Sequence, residues 1–302
     1  MIEFVNAKIN IGLQVVNRRP DGYHDLQTLF YPVGLLAGTP SDPEPFCDIL
    51  EIVPGEGRHE VHFSFSLSGR AVDCAVEKNL VWRAADIYFT IVSQTPDFSV
   101  DIRLEKHLPD GAGMGGGSAD AAFTLSMLRT LDARHRGVSP QEVASDCLMR
   151  DLALKLGADC PFFLYNRPAY AEGVGERLTP VGLDLSDFWL LVVKPATSIS
   201  TKEAFAGIAP RPSSFDLRTL PELPVSAWKE CVHNDFEDSI FPSHPEFAAV
   251  KQSLYDTGAV YASLTGSGSC LYGIFSSKLS ATEARTLFPV SPTIAATYLL
   301  KL

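Results

Sequence analysis

The chain has 302 residues, 46% hydrophobic and 20% charged, with a formal net charge of 25 − 36 = −11. That length suits two domains with a real core, and the composition excludes an intrinsically disordered chain. The acidic balance argues against a nucleic-acid binder, which needs a basic footprint, but leaves room for a small anionic ligand held by local lysines and backbone dipoles.

In chain order, KINIGLQVV alternates: Ile9, Ile11, Leu13 and Val15 face one way, and Lys8, Asn10, Gly12 and Gln14 the other. This predicts a half-buried strand. Pro20-Asp21-Gly22 marks a turn. LQTLFYPVGLL, CDILEIV, EVHFSFSLS and SVDIRLEKH read as further strands, and residues 39–46 as a proline-rich surface loop. A helix is expected from Ser118 through Leu125, Leu128 and Leu131. A second opens at the Ser139-Pro140-Gln141-Glu142 capping box, carries Val143, Cys147, Leu148, Leu152 and Leu156 on one face and stops at Gly157. After about residue 180 the order is FWLLVVKP, helices near 201–208 and 244–257, YASL, CLYGIF, a helix near 280–287 and TIAATYLL, with an irregular insertion at 209–232. That is a β-α-β-β-α-β, ferredoxin-like arrangement. The fold class expected is α+β, with domains at 1–180 and 181–302 and a cleft between them.

The six cysteines (Cys47, Cys74, Cys147, Cys160, Cys231, Cys270) form no CxxC pair and read as reduced core residues of a cytoplasmic protein. MIEFVNAKIN lacks the regions of a signal peptide, and no apolar run approaches the roughly 20 residues of a spanning helix, so no membrane partner is expected. His59 and His62 lie three apart on a strand, facing opposite ways, and get no ligand role.

LPDGAGMGGGSADAAFTL holds five glycines, Gly111, Gly113, Gly115, Gly116 and Gly117, before a helix. It satisfies G-x-G-x-x-G, but HLPD separates it from the preceding strand and a capped helix follows where a Rossmann fold needs a strand. No lysine follows the glycines as a Walker loop requires, and the kinase HRD and DFG signatures are absent. Bare backbone N–H groups feeding a helix N-terminus make an anion site, with phosphate the usual guest. Ser118, placed at the N-cap, offers a hydroxyl to phosphate or Mg²⁺. The competing reading is a tight turn with glycines used for packing.

The stretch LPDGAGMGGGSADAA resembles the central motif of the GHMP family of small-molecule kinases. NAKINIGLQVVNRRPDGYHDLQTLF, LGADCPFFLYNRPAYAEGVGE and LTGSGSCLYGIF are similar to blocks of the branch that phosphorylates the 2-hydroxyl of 4-diphosphocytidyl-2-C-methyl-D-erythritol in the non-mevalonate isoprenoid pathway. The chain departs from the pattern at Asn6, Ala119 and Cys160, none of them a charged group.

The resemblance implies a GHMP-kinase fold: an N-terminal mixed domain like domain 2 of ribosomal protein S5, a ferredoxin-like C-terminal domain and the active site between them. It implies ATP as co-substrate with Mg²⁺, the cytidine diphosphate methylerythritol as the other partner, and an oligomeric state open between monomer and weak dimer. Pro109, Asp110, Gly111, Ala112, Gly113, Met114, Gly115, Gly116, Gly117 and Ser118 would bind ATP. Lys8 and Asp159 would be catalytic. Read alone, Lys8 is a solvated strand lysine, and Asp159 is either a helix-end hydrogen-bonding group or a partly desolvated acid. Asn10, Tyr23, His24, Thr201 and Phe205 would bind the substrate, the Tyr23-His24 pair holding the cytosine and Thr201 and Phe205 forming the opposite wall. The Asn234-Asp235-Phe236-Glu237 stretch matches a family block, and helix capping explains it equally well.

Overall fold

Alternating and helical runs settle into twelve strands and ten α-helices among the residues described by the computed structural model, 1–34, 46–55, 62–93 and 98–302. Residues 39–45 of the proline-rich loop, His59, and positions 35–36 and 60–61 of two expected strands lie outside the described residues. By its contacts the chain divides into two interleaved units, 1–7 with 37–110 and 115–166, and 8–36 with 111–114 and 167–302.

The first unit holds β1 (Ile2–Val5), β4 (Asp48–Pro54), β5 (Phe63–Gly69) and β6 (Val100–Lys106). They form one sheet in the order β1-β4-β6-β5, antiparallel except for the parallel β5–β6 pair. Five helices belong to this unit: α1 (Leu80–Ile91), α2 (Gly116–Arg136), α3 (Pro140–Val143), α4 (Asp146–Leu156) and α5 (Cys160–Tyr165). The sequence reading missed α1, although Asn79 caps it through Val81 N and Val81, Ala84, Ala85, Tyr88 and Phe89 form a buried stripe at helical spacing.

Two helix expectations need correction. α2 begins two residues before Ser118, and its N-cap is Gly115, left-handed at φ 71°. The single helix expected over 139–156 is two, because Ala144 turns extended (φ −152°, ψ 133°) and Ser145 starts α4 with its own cap on Leu148 N. The face of α4 that is buried carries Met149, Leu152, Ala153 and Leu156, while Cys147 is exposed.

The second unit holds two sheets. β2 (Ala7–Arg18), β3 (His24–Val33), β7 (Ala169–Gly173) and β8 (Arg177–Pro180) form one, in that order. β9 (Trp189–Pro195), β10 (Tyr261–Leu264), β11 (Leu271–Phe275) and β12 (Ile294–Lys301) form the other, antiparallel in the order β10-β11-β9-β12. With α6 (Thr201–Ala206), α7 (Trp228–Cys231), α8 (Asp235–Ile240), α9 (Pro245–Asp256) and α10 (Lys278–Arg285), this is the expected split β-α-β-β-α-β layout. Its core gathers Leu13, Val15, Leu191, Val193, Phe236, Phe247, Leu264 and Phe275.

β2 is buried on both faces and not half-exposed as its alternation suggests. The 209–232 insertion covers the Gly12–Gln14 part of the polar face, while Lys8 and Asn10 are covered by the 113–114 stretch and Thr265. Gln14 donates to Phe215 O (3.1 Å), and a Cβ on Gly12 would lie 2.7 Å from Leu217 and 2.9 Å from Val232. Gly12 is also left-handed at φ 66°, so no side chain suits that position. The cysteine expectation holds for half the set: Cys47, Cys160 and Cys270 are buried, Cys74 and Cys147 exposed and Cys231 intermediate, all six unpaired.

Candidate active site

In the first unit, β6 runs Val100, Ile102 and Leu104 inward, and Lys106 falls in the same phase. This buries an ammonium at the strand end, where it donates to Asp120 Oδ2 of α2 (2.7 Å) and to Asp48 of β4. Asp48 Oδ1 also accepts from His107 N (2.6 Å) and Leu108 N (2.8 Å). The trio therefore ties both ends of the glycine-rich loop, the strand before it and the helix after it. Burial, only partly offset by Lys106, pushes the Asp120 carboxyl up to about 7. Lys106, Asp48 and Asp120 were missed in the sequence, yet a lysine in phase with three inward apolar residues was a legible signal.

The five glycines do different things. Gly111, Gly113 and Gly115 are left-handed (φ 58°, 72° and 71°). A Cβ on Gly113 would lie 2.1 Å from Thr265 O, so that glycine also serves packing. Gly116 and Gly117 have ordinary helical backbone, and a Cβ there would make only normal contacts, 3.5 Å to Leu108 and 3.6 Å to Leu80. Neither twist nor crowding demands glycine at these two positions, where each costs about 1 kcal/mol relative to alanine. No side chain caps the helix start, whose first N–H groups have no intrahelical acceptor.

Ser118, in the first turn of α2, places its hydroxyl in a hydrogen bond with the Cys160 thiol, which burial pushes up to about 12 and so keeps protonated. Asp159 precedes that thiol as the N-cap residue of α5, but its carboxylate makes no cap bond. Capping α5 is thus not what its carboxylate does.

In the second unit, Lys8 is 3% exposed, which removes the solvated-edge reading. Its Nζ donates to Asn10 Oδ1 (2.6 Å) and Gly113 O (3.1 Å), and stands 4.9 Å from the Phe30 ring centroid. Its backbone N donates to Met114 O (2.9 Å). Asn10 is held in turn: Nδ2 donates to Thr28 Oγ1 (3.0 Å) and its backbone N to Thr265 Oγ1 (3.1 Å). Lys8, Asn10 and the 113–114 stretch are thus one fixed group.

Of the expected pyrimidine contacts, His24 and Phe205 come together, their rings stacked at 4.6 Å and 19°. Phe205 rests edge-on against Phe236 at 4.8 Å, while Tyr23 stands 65% exposed. Thr201 Oγ1 lies 3.4 Å from Ser267 Oγ in the 265–269 turn. The Asn234–Glu237 block does more than cap. Asn234 Oδ1 accepts from Phe236 N (3.0 Å), while its Nδ2 donates to Leu264 O (2.9 Å) and Gly266 O (3.0 Å). Glu237 Oε1 accepts from Leu264 N (2.9 Å), so the block fixes the turn that carries Thr265.

Comparison with known proteins gives the following. The chain matches the GHMP kinases N terminal domain family over residues 79–167 and the GHMP kinases C terminal family over 220–286. It is 42% identical over 275 residues to a 4-diphosphocytidyl-2-C-methyl-D-erythritol kinase of Parabacteroides distasonis, covering 91% of this chain and 92% of that one. It is 41% identical over 284 residues to the protein of that name from Bacteroides fragilis, covering 94% and 95%. A crystal structure of a 4-(cytidine 5'-diphospho)-2C-methyl-D-erythritol kinase superposes with a TM-score of 0.76 at 29% identity, covering 99% of this chain and 98% of that one.

Proposed function

Since the chain belongs to the GHMP kinases, within the group of 4-diphosphocytidyl-2-C-methyl-D-erythritol kinases, we propose that Lys8 and Asp159 carry the phosphoryl transfer and that the 109–118 loop holds the nucleotide. The reaction is ATP-dependent phosphorylation of the 2-hydroxyl of 4-diphosphocytidyl-2-C-methyl-D-erythritol, a step of the non-mevalonate isoprenoid pathway.

The observation that carries the nucleotide assignment is the pair Gly116 and Gly117. Two helix-destabilising residues that the protein's own packing does not require are explained by a ligand whose oxygens approach the backbone of that turn. ATP fits this cradle, because an uncapped helix start offers N–H donors and a positive dipole end to phosphate.

Phosphoryl transfer passes through a loose transition state, so the protein chiefly positions groups and stabilises charge. Asp159 takes the proton of the substrate hydroxyl onto its carboxylate. Lys8, fixed by Asn10 and Gly113 O, supplies positive charge to the transferred group and lowers the hydroxyl's pKa. Asn10 keeps the lysine aimed and lines the alcohol's site. Tyr23, His24, Thr201 and Phe205 bind the cytidine end, the ring of Phe205 offering a stacking face and His24 a hydrogen-bonding edge. Ser118 presents the hard oxygen that Mg²⁺ prefers, and the ion would neutralise phosphate charge when bound. The cytoplasm is the compartment we assign.

The test is nucleotide binding by Gly116→Ala. The variant is expected to melt no lower than the parent and to bind ATP at least about tenfold more weakly. Unchanged ATP affinity would refer the glycine to helix packing.

A further inference from the structure

Three lysines are buried among the described residues, Lys8, Lys106 and Lys194. Lys106 lies between two aspartates. Lys194, at the end of β9 and 7% exposed, has instead a hydroxyl and a carbonyl: its Nζ donates to Ser269 Oγ (2.8 Å) and Pro195 O (3.1 Å). Among the described residues no carboxylate lies within ion-pair distance of it. A buried ammonium without a counter-charge is expensive, and burial indeed holds this lysine below the ordinary lysine value. An ammonium has three donors, and two are used.

The surroundings say which anion would complete this pair. Ser269 ends the turn Thr265-Gly266-Ser267-Gly268-Ser269, with Gly266 and Gly268 left-handed (φ 57° and 95°). The next residue, Cys270, donates its N–H to Ala112 O in the glycine-rich loop (3.3 Å). The turn that holds the lysine is thereby joined to the loop proposed to hold the nucleotide's phosphates, which makes phosphate the anion nearest to hand.

From this arrangement we propose that Lys194 forms a phosphate subsite, supplying charge to a phosphoryl group of a bound ligand, with the fully buried Ser269 holding the ammonium in position. The inference rests on the kinase reading above, since both substrates of that reaction bring phosphates. It adds a charged residue that no motif in the sequence pointed to.

Lys194→Met keeps the length of the side chain and removes the charge. Melting of the parent and the variant, each with and without inorganic pyrophosphate, is measured first, and then KM for ATP and for the cytidine diphosphate substrate. The expected result is a ligand-free melting temperature equal to or above the parent's, loss of the pyrophosphate-induced rise, and a KM about 10- to 100-fold higher for the ligand whose phosphate sits there. The ligand whose KM rises is the source of that phosphate. Ser269→Ala, which keeps the charge, should lose a smaller part of the same affinity and serves if the methionine variant does not fold. Unchanged KM for both ligands, with the pyrophosphate rise retained, overturns the subsite. A parent that transfers no phosphate to the substrate overturns the kinase reading instead, and the pyrophosphate comparison still reads the subsite.

Discussion

Asp159 and Lys8 divide the labour at the scale of single residues, and their environments separate two tests. Asp159 contributes no cap bond to α5, and in Asp159→Asn kcat should fall by at least ~10², the lower range for a lost general base. A near-normal kcat in both Asp159→Asn and Lys8→Ala would refute their roles. Phe205 lies far along the ligand from the reacting hydroxyl in this account, so its contact acts equally in ground and transition states. Base–aromatic stacking is worth roughly 1–3 kcal/mol, and Phe205→Ala should raise KM for the alcohol about 5- to 150-fold with kcat and KM for ATP held. A rise confined to ATP would move that ring to the purine side. Lys8, Asn10 and Asp159 were legible as site residues only through their family blocks, since the strand pattern alone made Lys8 a solvated residue. The trio Asp48, Lys106 and Asp120 was not read, because its members lie far apart in the chain and only Lys106 carries a periodic signal.

Elements carry the next pair of expectations. Removing the cation from the Asp48–Lys106–Asp120 cluster leaves two carboxylates buried, so Lys106→Met should cost about 3–5 kcal/mol in urea unfolding and weaken ATP binding as the loop loses its tie. A cost below 1 kcal/mol would mean the cluster is solvated. Asp120 has a folded-state value pushed up to about 7, above its unfolded value, so its protonated form is favoured by folding. Its contribution is present below the unfolded value and is lost as pH rises through about 7. Asp120→Asn should therefore flatten the stability profile between pH 5 and 8, and an unchanged slope there would contradict the assignment. At this scale the sequence reading erred where tertiary packing overrode period. β2 looked half-exposed because its outer face is polar, and the segments that cover that face, the 209–232 insertion over Gly12 and Gln14 and the 113–114 and Thr265 turns over Lys8 and Asn10, have no period of their own. The capping box at Ser139 was read correctly, but the extended Ala144 that ends its helix leaves no local mark.

For the whole molecule, the β-α-β-β-α-β order after residue 180 was legible because its strands are short apolar runs with helical segments between them, and the sheet order β10-β11-β9-β12 bears it out. The two family models match at residues 79–167 and 220–286. The compact units instead interleave along the chain, with β2 and β3 grouped with the C-terminal half. Sequence order alone carries no sign of that grouping, since it depends on which sheets fill against each other. No helix among the described residues is long and apolar enough to cross a membrane. The most direct test of the central claim is ADP release by the purified chain with ATP and Mg²⁺ over a panel of alcohols. The panel holds 4-diphosphocytidyl-2-C-methyl-D-erythritol, its uridine analogue, homoserine and mevalonate. The account predicts turnover with the cytidine compound, weak turnover with the uridine analogue and none above background with the other two, with turnover lowered at least ~10²-fold in Asp159→Asn. Equal or better turnover of homoserine or mevalonate, or near-normal release in Asp159→Asn, would contradict it.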